Sequence, residues 1–392
     1  MQEEYEVETE EISEETTEAD TDRGGLSNGK RALIFVLIAL VLAAIMVVLW
    51  LFATYDDYEE MSSVGLANEA ETKYTDFREN LLSYSRDGAF YTDYSGNLIW
   101  NYTYEMDEPH IESCGDRLLI YDRQGTRMII QSSAGNIGEI STTLPIVDAD
   151  ISASGETAVL MQDGSTGYIT VYAQDGSTVA SGEVHTANTG YPVAIAISSD
   201  GKSMGLSLIN LNDGDVKTTL NFYGFGEGGS SQKDNITASY SYSDMVIPDI
   251  DFVDDDRLVA FGDAEIVVYT PGDSPKVGAE IFLPNSIISV FHNDSYIGMV
   301  YTGSEGNELK VCSLSGVEKY TVPTDTAYTK CEFNKNDEVM LTDGEDISIF
   351  TPLGVEKFNY HFNEGFYQMI PWESSRSYVM VEKGAIRRIR LK

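Results

Sequence analysis

Apolar and polar residues follow distinct patterns in successive stretches of the chain. From 32 to 53 (ALIFVLIALVLAAIMVVLWLFA) 22 residues pass with no charged side chain and no polar stripe. As a helix this run would be about 33 Å long, enough to cross a bilayer core of about 30 Å. A secretory leader would have a shorter apolar core ending at a small-x-small site, and Thr54-Tyr-Asp-Asp-Tyr-Glu-Glu60 offers none. From about residue 85 to the end the apolar residues come in short alternating runs rich in β-branched and aromatic side chains. Gly, Asp and Asn turns part them, so the expected elements are strands. The intervening stretch, 54–84, reads as a juxtamembrane connector. Within it Phe77, Leu81 and Tyr84 recur at i, i+4 and i+7, which predicts a short amphipathic helix over 74–84. Residues 1–31 are mostly acidic and polar without a recurring apolar face, which predicts a disordered tail.

Two units repeat through the strand-forming part. One is a hairpin in which an aromatic residue leads into a turn glycine: Tyr91 to Gly96, Tyr121 to Gly125, Tyr172 to Gly176, Tyr223 to Gly226, Tyr269 to Gly272, Cys312 to Gly316 and Phe350 to Gly354. The other is an apolar strand, a polar turn and a second apolar strand, clearest at 146–160 and 193–206. Weaker copies begin near Pro109, Pro248, Ser286, Tyr328 and Phe366. Each unit occurs seven times and the two alternate, so a pair supplies four strands, the content of a propeller blade. The expected fold is all-β, a seven-bladed β-propeller over 85–392, preceded by a transmembrane helix at 32–53 and a disordered tail. The hairpin at 88–104 would complete the last unit at 366–382 and close the ring. Residues 385–391 are then left over, as an extra strand or as a sign of eight blades.

The opening hairpin Asp93-Tyr-Ser-Gly-Asn-Leu-Ile-Trp100 resembles the repeats of quinoprotein-like propellers, and Ser198-Ser-Asp-Gly201 is similar to turns of other bacterial propellers. With 220–226 and 388–392, the order resembles a family of single-pass membrane proteins of Gram-positive bacteria, a domain of unknown function with a quinoprotein-like or WD40-like propeller ectodomain. The resemblance implies architecture and topology but no activity. Quinone binding does not carry over, because one hairpin of seven keeps the tryptophan.

Charge orients the chain. Arg23, Lys30 and Arg31 precede the apolar run, and Asp56, Asp57, Glu59 and Glu60 follow it. The Lys/Arg bias places the N-terminus in the cytoplasm and the propeller outside a cell membrane crossed once. The net charge is −39, and residues 81–392 hold 45 Asp/Glu against 20 Lys/Arg; nucleic-acid binding, which needs clustered Lys/Arg, is excluded. Lys383, Arg387, Arg388, Arg390 and Lys392 form the one basic cluster, suited to an anionic membrane or polymer or to offsetting nearby acids. Cys114, Cys312 and Cys331 are far apart and odd in number, with no zinc or redox spacing. They read as small buried side chains, and at most one disulfide, Cys312 to Cys331, could form.

Propellers commonly bind at the mouth of the central channel, lined by the innermost strand of each blade. One face of those strands would present Asp148 and Asp150, Ala194 and Ala196, Asp249 and Asp251, Ile288 and Val290, and Lys330 and Glu332. Asp148, Asp150, Asp249, Asp251 and Glu332 are therefore the candidate site acids. Such oxygen ligands suit Ca²⁺ or a cationic group, with Asp254, Asp255 and Asp256 close by; no cofactor is otherwise expected. His110, His185, His292 and His361 lie in no nucleophile or HExxH context, and no glycine loop opens a helix to cradle phosphate. The expected function is a membrane-anchored extracytoplasmic module that binds or scaffolds a protein or envelope polymer at the bacterial envelope. A propeller enzyme, either an envelope glycan hydrolase or lyase or a cofactor-dependent oxidoreductase, is the alternative.

Overall fold

A computed structural model describes residues 28–66, 71–211, 215–225, 235–253, 257–270, 272, 274–325 and 328–392, with side chains at 28–32, 34, 50 and 188 left aside. The tail at 1–27, including Arg23, and the candidate acids Asp254, Asp255 and Asp256 lie outside these residues. So do Gly226 and its following glycines. The chain divides into two compact units between Ala53 and Thr54. The first contains a 24-residue helix, Asn28–Leu51. Counting the described residues alone, no helix is long and apolar enough to cross a membrane.

In the second unit the described residues form eight four-stranded antiparallel sheets. Blades 1 to 7 run through the sequence as 73–103, 109–141, 146–185, 191–243, 249–282, 287–323 and 330–361. Blade 8 takes three strands from the C-terminus (Gln368–Trp372, Ser374–Glu382 and Ala385–Leu391), and its fourth is the N-terminal strand Tyr58–Gly65. The fold is an eight-bladed β-propeller. The first strands of blades 2 to 5 touch in succession, as do those of blades 6 and 7, and the first strand of blade 1 meets that of blade 8.

The second and third strands of a blade have neighbouring blades on both faces. They read accordingly as unbroken apolar runs: Leu118 to Ile120, Val159 and Leu160, and Val339 to Leu341 are all essentially inaccessible. Outer strands such as Thr178–His185 are mostly exposed. The core is thus a series of layers between blades. Leu119, Met128 and Ile130 of blade 2 pack on Ile146, Ile151 and Val159 of blade 3 in one of them. Each such side chain contributes about 1.5–3 kcal/mol of burial.

Seven blades was the wrong count, and the missed elements lie in the stretch read as a connector. Residues 74–84 are not helical. They form the strands Lys73–Phe77 and Asn80–Ser85, joined by a two-residue turn at Arg78 and Glu79 with φ of 47° and 68°. Phe77 and Leu81 are four apart in sequence, the helical spacing, but they are buried on the two arms of a hairpin. The turn leaves no sequence signal because Arg78 and Glu79 stand where Asn or Gly usually takes positive φ. This inner pair joins Gly88–Thr92 and Leu98–Thr103 in blade 1, so the first hairpin does not complete the last blade. Six of the seven sequence hairpins lie between third and fourth strands. The copy at Tyr121–Gly125 instead joins the second and third strands of blade 2.

Closure rests on the strand Tyr58–Gly65, paired antiparallel with Ala385–Leu391 across a bulge at Met61. The basic cluster meets the acids that follow the apolar run: Arg387 lies 3.7 Å from Glu60 and 3.1 Å from Glu382, Arg390 3.7 Å from Glu59, and Lys392 3.3 Å from Asp57. Arg388 stacks over Trp372 and donates to Ser95 Oγ at 2.6 Å. Blade 1 abuts the same strand. Gly96 turns with φ +80°, and a Cβ there would come 2.8 Å from Val64 Cγ1.

Blades 7 and 8 share a buried ionic network. A bulge in the outer strand of blade 7 accommodates Lys357, whose ammonium donates inward to Glu338 and, at 2.8 Å, to the Tyr378 hydroxyl of blade 8. Tyr378 donates to Glu338 Oε2 at 2.7 Å, and Asn334 Nδ2 donates to the same oxygen at 2.9 Å. Lys357 is 3% exposed, Glu338 4% and Tyr378 0%. Burial lowers the Lys357 pKa and raises that of Tyr378 far above the ordinary phenol value, although the neighbouring carboxylate works against the lysine shift.

Candidate functional site

The first strands bring four of the five candidate acids together. Asp148 and Asp150 stand on Ile146–Ile151 of blade 3, and Asp249 and Asp251 on Asp249–Val253 of blade 5. Between them lies Tyr191–Ile197 of blade 4, which carries no acid of its own. Its backbone is bound instead: Ile195 N–H donates to Asp148 Oδ2 at 3.0 Å and Ile197 N–H to Asp150 Oδ2 at 2.7 Å. Each aspartate also accepts from the next residue of its own strand. Ala194 and Ala196, expected on the channel face, pack instead into the layer between blades 4 and 5.

The carboxylates share one electrostatic field. Burial raises the pKa of Asp148 despite the N–H donors and the Tyr121 hydroxyl that oppose the shift. Asp150 is pushed up to about 7, chiefly by burial and further by Asp148, against its two backbone hydrogen bonds. Asp249 is raised by burial and by Asp148. Asp251 is raised strongly by burial, then by Asp150, Asp249 and Asp294. A fifth member, Glu112 on Pro109–Cys114 of blade 2, was not anticipated. Its surface remains accessible although protein surrounds it, and desolvation followed by the charges of all four aspartates holds its pKa well above the usual carboxylate range. Its signal lay in the weak repeat near Pro109, which lacks the doubled Asp that marked blades 3 and 5.

His292, which lies in no catalytic sequence motif, also belongs here. Its Nε2 lies 3.5 Å from Asp251 Oδ2, its ring stacks on Phe261 at 4.7 Å, and its pKa is lowered by burial. His110 sits beside Glu108 and His361 beside Asp346, both near the surface.

Glu332 stands apart. It accepts from Gln368 Nε2 at 2.9 Å and pairs with Lys330 at 2.9 Å, while Lys330 also donates to Gln368 Oε1 at 2.5 Å. This network borders a polar cavity of about 360 Å³, with Asp76, Asp294 and Lys335 on its wall. Among the described residues no group of three or more His, Cys, Asp or Glu side chains is arranged to hold a metal ion. The aspartate oxygens of blade 3 are engaged by backbone N–H groups, so the donor set does not fit Ca²⁺. No disulfide joins the three cysteines, of which Cys312 is buried and Cys114 and Cys331 are half-buried.

A sequence profile of a family of unknown function, DUF5711, matches residues 52–391. The chain belongs to that family. Its match begins ahead of the closing strand, which agrees with a propeller that starts near Thr54. No curated protein matches the chain. Among solved structures it is similar to BamB from Moraxella catarrhalis, with 12% identity, a TM-score of 0.51 and coverage of 86% of this chain and 100% of that one. It is also similar to the computationally designed Ika8 protein (13%, 0.52, 86% and 100%) and to apo AztD from Citrobacter koseri (11%, 0.51, 75% and 87%). At such identities the likeness shows the propeller fold and nothing about chemistry.

Proposed function

We propose that this protein is an envelope-anchored binding or scaffolding module whose acidic channel receives a cationic segment of a partner. The observation that carries the reading is the convergence of Glu112, Asp148, Asp150, Asp249 and Asp251 from three blades into one field, on a domain already strongly negative. Clefts of one sign concentrate ligands of the other, and a bound cation lets the carboxylates ionise together. Anchoring by the helix Asn28–Leu51, with the propeller outside, is supported by the apolar sequence of 32–53 and by the preceding Lys30 and Arg31.

The test uses the full-length protein in lipid nanodiscs with an octalysine peptide. Binding should weaken as salt rises, and at least tenfold in the combined Glu112→Gln, Asp150→Asn, Asp251→Asn variant. Unchanged affinity in that variant refutes the channel as the site. For the anchor, protease added to intact cells should remove a C-terminal epitope, and protection of that epitope would overturn the topology.

One observation favours the enzyme alternative, a glycan hydrolase or lyase. A carboxyl raised to about 7 at Asp150, with His292 beside Asp251, matches the needs of proton transfer near neutrality. Turnover of envelope glycan that disappears in Asp150→Asn would select that reading.

A further inference from the structure

The layers between blades repeat closely enough for one position to be followed around the ring. In blades 1 to 7 the third and fourth strands pair across a one-residue bulge. Matching the blades at that bulge places Tyr102, Ile140, Gly182, Tyr240, Ile281, Val322 and Tyr360 at the same point of the outer strand. Six of these side chains enter the apolar layer against the next blade. In blade 3 the residue is glycine, and a Cβ built on Gly182 meets no atom within 4 Å.

A cleft of about 450 Å³ opens there between blades 3 and 4. Ile169, Val171, Val184, Met204, Leu208 and Tyr223 line it. The next interface shows what such a space accommodates. Tyr240 packs on Phe222 and lies 5.0 Å from Tyr269, and its hydroxyl donates to the Pro275 carbonyl at 2.6 Å. The same register makes Val171 the counterpart of Phe222 and Tyr223 the counterpart of Tyr269. Between blades 3 and 4 the tyrosine wall is thus kept and Val171 replaces the phenylalanine floor, and among the described residues no ring from the outer strand of blade 3 fills the place that Tyr240 takes in the next layer. His185 and Asn221 add polar groups at the margin, in keeping with a small-molecule site that is mostly apolar with a few polar contacts.

We infer that this cleft is a binding site for a small phenol-type ring, separate from the acidic channel. The ring enters where six other blades insert Tyr, Ile or Val, lies against Tyr223, and keeps its hydroxyl toward the polar margin. Gly182 is then the residue that leaves the site open.

The experiment follows the methionine methyl signals of the full-length protein, labelled with ¹³C-methyl methionine and held in nanodiscs, as 4-methylphenol is added. Met204 lines the cleft and Met340 the distant polar cavity. The expected result is a saturable shift of the Met204 signal with Met340 unmoved, and at least tenfold weaker binding in Gly182→Tyr. Gly182→Ile, which copies blades 2 and 5, provides a second filled variant should the tyrosine not fold. A Met204 signal that does not move up to the solubility limit overturns the inference. So does an equal shift at Met340, or undiminished binding in the filled variants.

Discussion

Replacing Lys357 by methionine tests the network between blades 7 and 8 most directly. Lys357 is 3% exposed and its partner Glu338 4% exposed, so the pair is little screened by water. Lys357→Met preserves much of the stem volume but leaves Glu338 with Asn334 and Tyr378 as donors and no counter-charge. Breaking a buried pair from one side costs about 3–5 kcal/mol, because the remaining ion keeps its desolvation penalty without the attraction that offset it. The double variant Lys357→Met, Glu338→Gln removes both charges and retains an amide of similar shape, so it should lie within about 1 kcal/mol of the parent. Equilibrium denaturation followed by tryptophan fluorescence reads the difference. Trp372 reports on blade 8 and Trp100 on blade 1, and coincident transitions justify a two-state treatment. A single variant that loses less than about 1 kcal/mol, or a double variant as unstable as the single, would refute the reasoning.

Two further outcomes follow from the channel and the closure. The channel carboxyls have folded pKa values above their unfolded ones, so between pH 4 and 7 the folded state holds more protons and stability falls as pH rises. Melting temperature should be higher near pH 5 than near pH 8, and Asp150→Asn with Asp251→Asn should flatten that slope; a parent profile without the slope contradicts the assignment. A chain beginning at Thr54 should fold as a monomer, whereas one beginning at Leu66 lacks the closing strand, exposes the edge of Ala385–Leu391 and should aggregate. Gel filtration and circular dichroism of the two chains decide the matter, and equal behaviour would count against the closure.

Much of this was legible from residue order. The hairpins and inner pairs stood out because each blade must cover both faces of its middle strands, which forces unbroken apolar runs between polar turns. The channel aspartates of blades 3 and 5 stood out through i, i+2 spacing, the period that puts two side chains on one face of a strand. Glu112 and His292 did not, since Glu112 is the lone acid and His292 the lone titratable group of its strand, and each acquires its surroundings from other blades. Glu332 followed the same pattern as the aspartates and yet sits in a different environment, with Lys330 and Gln368 as partners.

Local pattern therefore determined the all-β repeat, the strand pairs, the acidic character and the apolar run at 32–53. Tertiary structure decided the count of eight, because blade 8 joins residues more than three hundred positions apart and no local period records that pairing. It also decided what the C-terminal arginines do. By composition they formed an isolated basic cluster; in the ring they lie against Glu59, Glu60 and Glu382. The cleft at Gly182 belongs to the same class, since a glycine in an outer strand gains meaning only once seven blades can be superposed. Short-range periodicity records which face of a strand is covered, whereas partner, closure and cavity depend on contacts that form only when the ring does.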